Sequence, residues 1–246
     1  MKLMILGILG GMGPEATCDL FKKIINLTYA TNDQEHLHII IDNNTNIPDR
    51  TQYIYGYGED PRIEMIRSII KLEAMGVDYI AIPCNTAHYF YDDIVKYTKV
   101  KIIHMIYETA FYLKNNYPDN KDYLLLATEG TYISGIYHKI FKEYDLKIIE
   151  PNDIDKQIIM NWIYKVKSSK IDITLAEFES LVNRYTKNTN IPIILGCTEL
   201  PVLVDSLAST YNMKKEYIDP TLILARRCVE LANKEIKGKL VENGAI

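Results

Sequence analysis

The sequence predicts an α/β protein of two lobes, each a mainly parallel sheet flanked by helices. Three observations carry this. Short apolar runs alternate with amphipathic stretches of roughly 10 to 15 residues, the pattern of successive βαβ units. The alternation breaks once, at "NNYPDNKD" (115–122), where Pro, Asn and Asp cluster, and then restarts. The chain has 246 residues, enough for two units of about 100 to 150 residues each.

Residues 3–9 read as a strand, an apolar run that ends in glycines, and 14–30 as a helix. Pro14 falls in that helix's first turn, where a missing N–H costs nothing. "HLHIIID" (36–42) is a second strand. Over 61–75 the pattern is helical, with Ile63, Ile66, Ile70 and Met75 near one face. A third strand (79–82), a helix (87–97), a fourth strand (101–105) and a helix (107–116) complete the first half. After the break come strand 123–128, helix 134–143, strand 146–150 and helices 154–166 and 175–186. Strand 191–195, a short helix, strand 217–218 and a final helix, 221–237, follow. With the final helix returning to the first lobe, that lobe is expected to span 1–116 plus 213–246, and the second 117–212.

The net charge of −4, with no basic stripe, argues against a nucleic-acid partner. The N-terminal apolar run is interrupted by Gly7 and followed by glycines, Pro14 and Glu15, unlike a signal peptide. No run approaches the roughly 18 apolar residues of a membrane helix. A cytoplasmic protein acting on a small molecule, with no membrane partner, is expected. Its four cysteines (Cys18, Cys84, Cys197 and Cys228) form no C-x-x-C pair, so a zinc ribbon or redox motif lacks support and the thiols are expected reduced.

Ligands of parallel sheets bind at the carboxyl ends of strands. Here those ends carry Gly10-Gly11-Met12-Gly13, "DNNTNIPDRT", Cys84-Asn85-Thr86 and Cys197-Thr198-Glu199. "AIPCNTA" and "ILGCTEL" are two versions of one device, an apolar strand ending in Pro or Gly, then cysteine, then hydroxyl or amide side chains. If the lobes are related by a pseudo-two-fold, the two thiols face each other across one cleft. Such a pair suits removing a proton from one side of a carbon and supplying one from the other. Backbone N–H groups and helix N-termini beside the sulfurs are expected to lower the thiol pKa.

"GILGGMGPEAT", "IPDRT", "PCNTAH" and "LGCTELP" together resemble the cofactor-independent aspartate/glutamate racemase superfamily, and its aspartate racemase branch most closely. The motifs recur in order from residue 7 to residue 201. The resemblance implies two similar α/β lobes with the active site in the cleft between them, a homodimer and no cofactor; no metal is expected, since no His/Cys/Asp cluster has ligand spacing. It implies Cys84 and Cys197 as the two catalytic bases of a pyridoxal-independent racemase of acidic amino acids. Glutamate racemases of the superfamily carry histidine after the second Cys-Thr. This chain has Glu199 there, which tilts the expected substrate toward aspartate. Some broad-specificity relatives replace the first cysteine by threonine, whereas both cysteines are kept here. Related activities of the superfamily include glutamate and hydantoin racemisation, maleate isomerisation and malonate decarboxylation.

For substrate binding, the expected residues are Met12, Asp49, Arg50, Asn85, Thr86, Ala87, Lys167, Thr198 and Glu199. Arg50 could fork a substrate carboxylate, with family support for both Asp49 and Arg50. The superfamily's second-lobe lysine maps to Lys167, with Lys165 the alternative and a solvated helix face a third reading. His88 is expected near the site without being its base, and Cys18 and Cys228 in the core. Two readings from other classes remain. Gly11-x-Gly13-x-x-Ala16 with Asp42 fits a dinucleotide fingerprint, hence an oxidoreductase. A dicarboxylate-binding protein without chemistry is the other.

Overall fold

The computed structural model describes residues 3–187, 191–208 and 216–237. Its first half runs β1 (Ile5–Gly10), α1 (Pro14–Leu27), β2 (His38–Asn43), α2 (Arg50–Ile54), α3 (Arg62–Ala74), β3 (Tyr79–Ala81), α4 (Tyr91–Ile94), β4 (Lys101–Ile103) and α5 (Met105–Asn116). The second runs β5 (Asp122–Ala127), α6 (Glu129–Ser134), α7 (Ile136–Glu143), β6 (Lys147–Ile149), α8 (Asp153–Lys167), α9 (Leu175–Thr186), β7 (Ile193–Gly196) and α10 (Glu199–Ala208). It closes with β8 (Tyr217–Ile218) and α11 (Pro220–Leu231).

The described strands form two four-stranded sheets, ordered β2-β1-β3-β4 and β6-β5-β7-β8, and all their pairings are parallel. The winding is the same in both, so β5 stands where β1 stands and β7 where β3 stands. In each sheet the strand order reverses between the first strand and the third, which places a ligand crevice at their carboxyl ends.

Both sheets are covered on both faces, as continuous apolar strands require. Leu9, Ile80 and Ile82 pack on Met65, Ile69 and Leu72 of α3. On the opposite face, Leu6, Ile8 and Ala81 meet Leu20 and Ile24 of α1 and Leu224, Ala225, Cys228 and Val229 of α11. In the second sheet, Leu124, Leu126, Ile193 and Leu195 pack on α8, α9 and α10. Its other face buries Tyr137 and Phe141 of α7 together with Ile106, Ala110 and Leu113 of α5 and Ile223 of α11. Met105 of α5 belongs to the first lobe's cluster. Helices α5 and α11 therefore stand between the sheets and contribute to both cores.

Several expectations need correction. Helix α3 buries Met65, Ile69 and Leu72 and leaves Ile63, Ile70 and Met75 exposed. Both stripes have helical spacing, and the one that also places Ser68 beneath the Asn44 amide faces the sheet. Cys18 is exposed, because α1 turns Ala16, Thr17, Leu20 and Ile24 inward; Cys228 is buried, as expected. The helix expected over 87–97 is broken into a 3-10 turn (Thr86–Phe90), α4 and a second 3-10 turn (Val95–Tyr97), and the Asn85 side chain does not cap it. The helix expected over 134–143 is α7, which starts at Ile136; α6, ending at Ser134 just before the left-handed Gly135, was not expected. The last helix stops at Leu231, and Ile236 beyond it bridges back to Thr28.

Candidate active site

Cys84 follows β3 and Cys197 follows β7, the equivalent strands of the two sheets. Both thiols are buried, and both line one cleft. The remaining two switch-point strands contribute too, with Met12 after β1 and Thr128 after β5. Asp49, Arg50 and Thr51, around the start of α2, form another part of the wall. Met160, Tyr164 and Lys167 complete it from α8, at spacings of four and three residues that put them on one helical face.

The glycine loop after β1 is shaped for close approach. Gly11 has φ +92°, and a Cβ there would lie 2.3 Å from the Asn44 backbone, so only glycine fits. Thr17 braces the same loop, its Oγ1 accepting from Gly11 N–H and donating to the Gly13 carbonyl. At Gly13, where a dinucleotide's pyrophosphate would approach, the nearest neighbour is instead the Glu199 carboxylate, 3.5 Å from where a Cβ would lie. Asp42 lies 3.8 Å from Lys71.

The two thiols have unlike surroundings. Cys197 donates its S–H to Glu199 Oε2 at 2.9 Å, and Thr198 Oγ1 donates to the same oxygen at 3.3 Å. Burial pushes the Cys197 pKa well up, and the Glu199 carboxylate adds to this; Lys167 opposes it. The expected depression of thiol pKa is therefore corrected for Cys197, because burial, and after it the Glu199 carboxylate, disfavours the thiolate. The ammonium of Lys167 stands 3.8 Å from Glu199 Oε1. Burial lowers the Lys167 pKa, but Glu199 and Cys197 outweigh that, and the net shift is upward. Lys165 turns away to pair with Asp172 at 2.7 Å.

Arg50 is buried and already engaged with the backbone. Nη1 donates to the carbonyls of Ile47 (3.3 Å) and Pro48 (2.9 Å), and Nη2 to that of Met12 (3.1 Å). A guanidinium has five N–H donors, so these bonds leave Nε, which has no protein partner, and one Nη2 hydrogen. Asp49 caps α2, accepting from Gln52 N–H at 2.9 Å.

The loop after Cys84 leans on the second lobe. The Thr86 hydroxyl meets those of Thr128 (2.9 Å) and Thr131 (3.0 Å), which lie 3.0 Å from each other. Asn85 Oδ1 accepts from the Tyr137 hydroxyl at 2.6 Å, and its buried Nδ2 has no protein partner. Behind the loop, His88 Nε2 accepts from Met105 N–H at 3.1 Å. Its Nδ1 therefore carries the proton and donates to the Cys84 carbonyl at 2.9 Å. Burial holds the His88 pKa down, so this imidazole stays neutral and ties the Cys84 backbone to the β4–α5 junction.

Of the residues singled out from sequence, the cleft gathers Met12, Asp49, Arg50, Cys84, Asn85, Thr86, Lys167, Cys197, Thr198 and Glu199. Ala87 lies beneath them in the first-lobe core and does not line the cleft. Thr51, Thr128, Met160 and Tyr164 were not anticipated. Thr128 ends a strand, and the strand-end rule applied to β5 would have found it.

Comparison with known proteins agrees with this architecture. Residues 9–228 match the Asp/Glu/hydantoin racemase family, and the chain belongs to that family. A broad-specificity amino-acid racemase of Bacillus subtilis (strain 168) is 32% identical over 236 residues, covering 92% of this chain and 96% of the relative. Among solved structures, Picrophilus torridus aspartate racemase aligns with a TM-score of 0.83 at 32% identity, covering 95% of this chain and 96% of its own. An aspartate racemase homologue from Pyrococcus horikoshii aligns at 0.72 and 25% identity, covering 95% of this chain and 100% of its own.

Proposed function

We propose that this protein interconverts L- and D-aspartate without pyridoxal, by a two-cysteine 1,1-proton transfer. The observation that carries the reading is the pair of thiols, delivered to one cleft by equivalent strand ends of two like-wound sheets. One cysteine thiolate takes the α-proton while the opposite thiol gives one to the other face, and the roles exchange for the other enantiomer. In the arrangement described, Cys197 is the protonated partner, its S–H on Glu199. Cys84 is then the abstracting base; when the reaction runs the other way, Cys84 starts protonated from solvent and Cys197 passes its proton to Glu199, which returns one to solvent after the transfer. The remaining Arg50 donors, Asn85 Nδ2, Thr86 and Thr198 hold the α-carboxylate and spread the charge that develops on it. Lys167 supplies the second cation that a dicarboxylate needs.

The test is L-aspartate in deuterated water with no added cofactor. Solvent deuterium at Cα together with D-aspartate supports the reading, and no exchange with any acidic amino acid sinks it. Single Cys84→Ala and Cys197→Ala variants are each expected to abolish racemisation, with any residual exchange favouring opposite enantiomers. A second reading, a racemase of broad specificity, is favoured by the Bacillus subtilis relative. Running glutamate and neutral and basic amino acids in the same assay separates the two.

We further propose a cytoplasmic homodimer, on the strength of the family resemblance. The lobes are proposed as 1–116 plus 213–246 and 117–212. The packing of α11 on α1 and the first sheet supports that division, and its second boundary lies outside the described residues.

A further inference from the structure

We infer that Tyr137 is a positioning residue for substrate binding: reaching over from α7, it fixes the Asn85 side-chain amide so that Nδ2 rather than Oδ1 faces the cleft. The inference rests on the aspartate racemase reading, since it assigns the cleft's occupant a carboxylate. Three observations converge on it. The Tyr137 ring is fully buried within the second-lobe core, tilted against Phe141 at 5.4 Å, so the hydroxyl has a fixed position. That hydroxyl lies 2.6 Å from Asn85 Oδ1. Asn85 Nδ2 is buried without a protein partner, on a residue that lines the cleft beside Cys84.

The amide could in principle be turned over, with Nδ2 donating to the phenol oxygen and Oδ1 in the cleft. The phenolic proton would then lose Asn85 as its acceptor, at the cost of a buried unsatisfied donor. Burial also pushes the Tyr137 pKa well up, so the phenol keeps its proton and remains a donor. With Oδ1 committed to Tyr137, the two N–H groups of Nδ2 are what Asn85 can offer. A donor suits a carboxylate, and an amide oxygen in its place would repel one. Because Tyr137 belongs to one lobe and Asn85 to the other, the donor set beside Cys84 is completed only when both lobes are in place.

The experiment compares wild type with Tyr137→Phe, Asn85→Ala, the double variant and Asn85→Asp. It measures aspartate racemisation and, independently of turnover, equilibrium binding of succinate. Tyr137→Phe removes one oxygen and keeps the ring. It is expected to weaken succinate binding and kcat/KM roughly 10- to 100-fold, the scale of a hydrogen bond to a charged group, with the loss mainly in KM. In the Asn85→Ala background the same change should cost less than about twofold, because the amide it orients is gone. Asn85→Asp keeps an acceptor for Tyr137 but puts an oxygen into the cleft, so it should lose at least as much affinity as Tyr137→Phe. Should Tyr137→Phe fail to fold, that variant alone decides.

Wild-type succinate affinity in Tyr137→Phe or Asn85→Asp overturns the inference. So does an equal loss from Tyr137→Phe with and without Asn85, which would mark a purely structural role. If wild type binds succinate but shows no Cα exchange, the racemase reading fails while the binding comparison still decides the role of Tyr137. Failure of wild type to bind succinate or any acidic amino acid overturns both.

Discussion

Glu199 is the residue on which the proposed chemistry of the second thiol turns. It accepts the Cys197 S–H, and after burial its charge is the largest cause of that thiol's raised pKa. Replacing it by glutamine removes a nearby negative charge, so the sign is fixed: the thiolate forms at lower pH. Alkylation of Cys197, followed by peptide mass mapping across a pH series, should therefore set in at lower pH in Glu199→Gln. Racemisation should nonetheless fall, on the order of 10²- to 10⁴-fold, because glutamine cannot take the proton. Retained activity with an unmoved alkylation profile would mean that Glu199 does not act on Cys197. At this scale the sequence was informative wherever a residue ends a strand. Met12, the residues after each cleft cysteine and Glu199 reach the cleft through local geometry alone. Tyr137, Met160 and Tyr164 carry no such mark. Tyr137 meets Asn85 of the other lobe, Met160 and Tyr164 face the cleft from within α8, and nothing in their neighbouring residues announces either placement.

Between elements, α2 packs on α6 across the lobes. A Cβ on Gly130 would lie 2.7 Å from Thr51 Oγ1 and 2.9 Å from Thr51 Cα, so the two helices can meet only at a glycine. Gly130→Ala must push α2 outward and is expected to cost about 1–3 kcal/mol, as overpacking does. Thermal melting would show this as roughly 2–4 °C per kcal/mol, with activity reduced because Thr51 lines the cleft. The β4–α5 junction has a different vulnerability. The His88 and His104 rings meet at 4.7 Å, tilted by 57°, and burial lowers the pKa of both. A base whose folded pKa is depressed takes up its proton more readily when unfolded. Stability is therefore full above the unfolded value of about 6.5 and is lost as pH falls below it. His104 also caps α5, accepting from Tyr107 N–H at 3.3 Å. Asparagine can keep that cap without titrating. His104→Asn should shed up to about 1.4 kcal/mol per pH unit of the acid-side slope, measured by urea unfolding between about pH 5 and 7. An unchanged slope would remove His104 from the acid response. The strand-and-helix alternation made most elements legible, but not this junction or α6, because both depend on tertiary partners.

For the whole molecule, the sharing of α5 and α11 between the two cores decides how it unfolds. Ile106, Ala110, Leu113 and Ile223 belong to the second-lobe cluster, while Met105, Leu224 and Val229 belong to the first. Neither sheet keeps a complete core without helices that also serve the other. Unfolding should therefore be one cooperative transition despite the two lobes. The single tryptophan, Trp162, lies in the second-lobe core, and Cys228 lies in the first. Trp162 fluorescence and Cys228 labelling should change at the same urea concentration, and separate midpoints would show the lobes to be independent. That the chain has two lobes was readable from the break at 115–122 and the paired cysteine motifs. The doubly shared helices were not, since an amphipathic pattern marks one apolar face and does not say which sheet it meets.

The position of α11 in the chain also bears on synthesis. Its Leu224, Ala225, Cys228 and Val229 cover one face of the first sheet and α1, yet it is made after the entire second lobe. On a ribosome, β1 to α5 emerge first but wait with that face uncovered while some hundred further residues are added. The first part of the protein to be translated is thus the last to be finished. During that interval Leu20, Ile24 and their neighbours are the surface most in need of protection from aggregation.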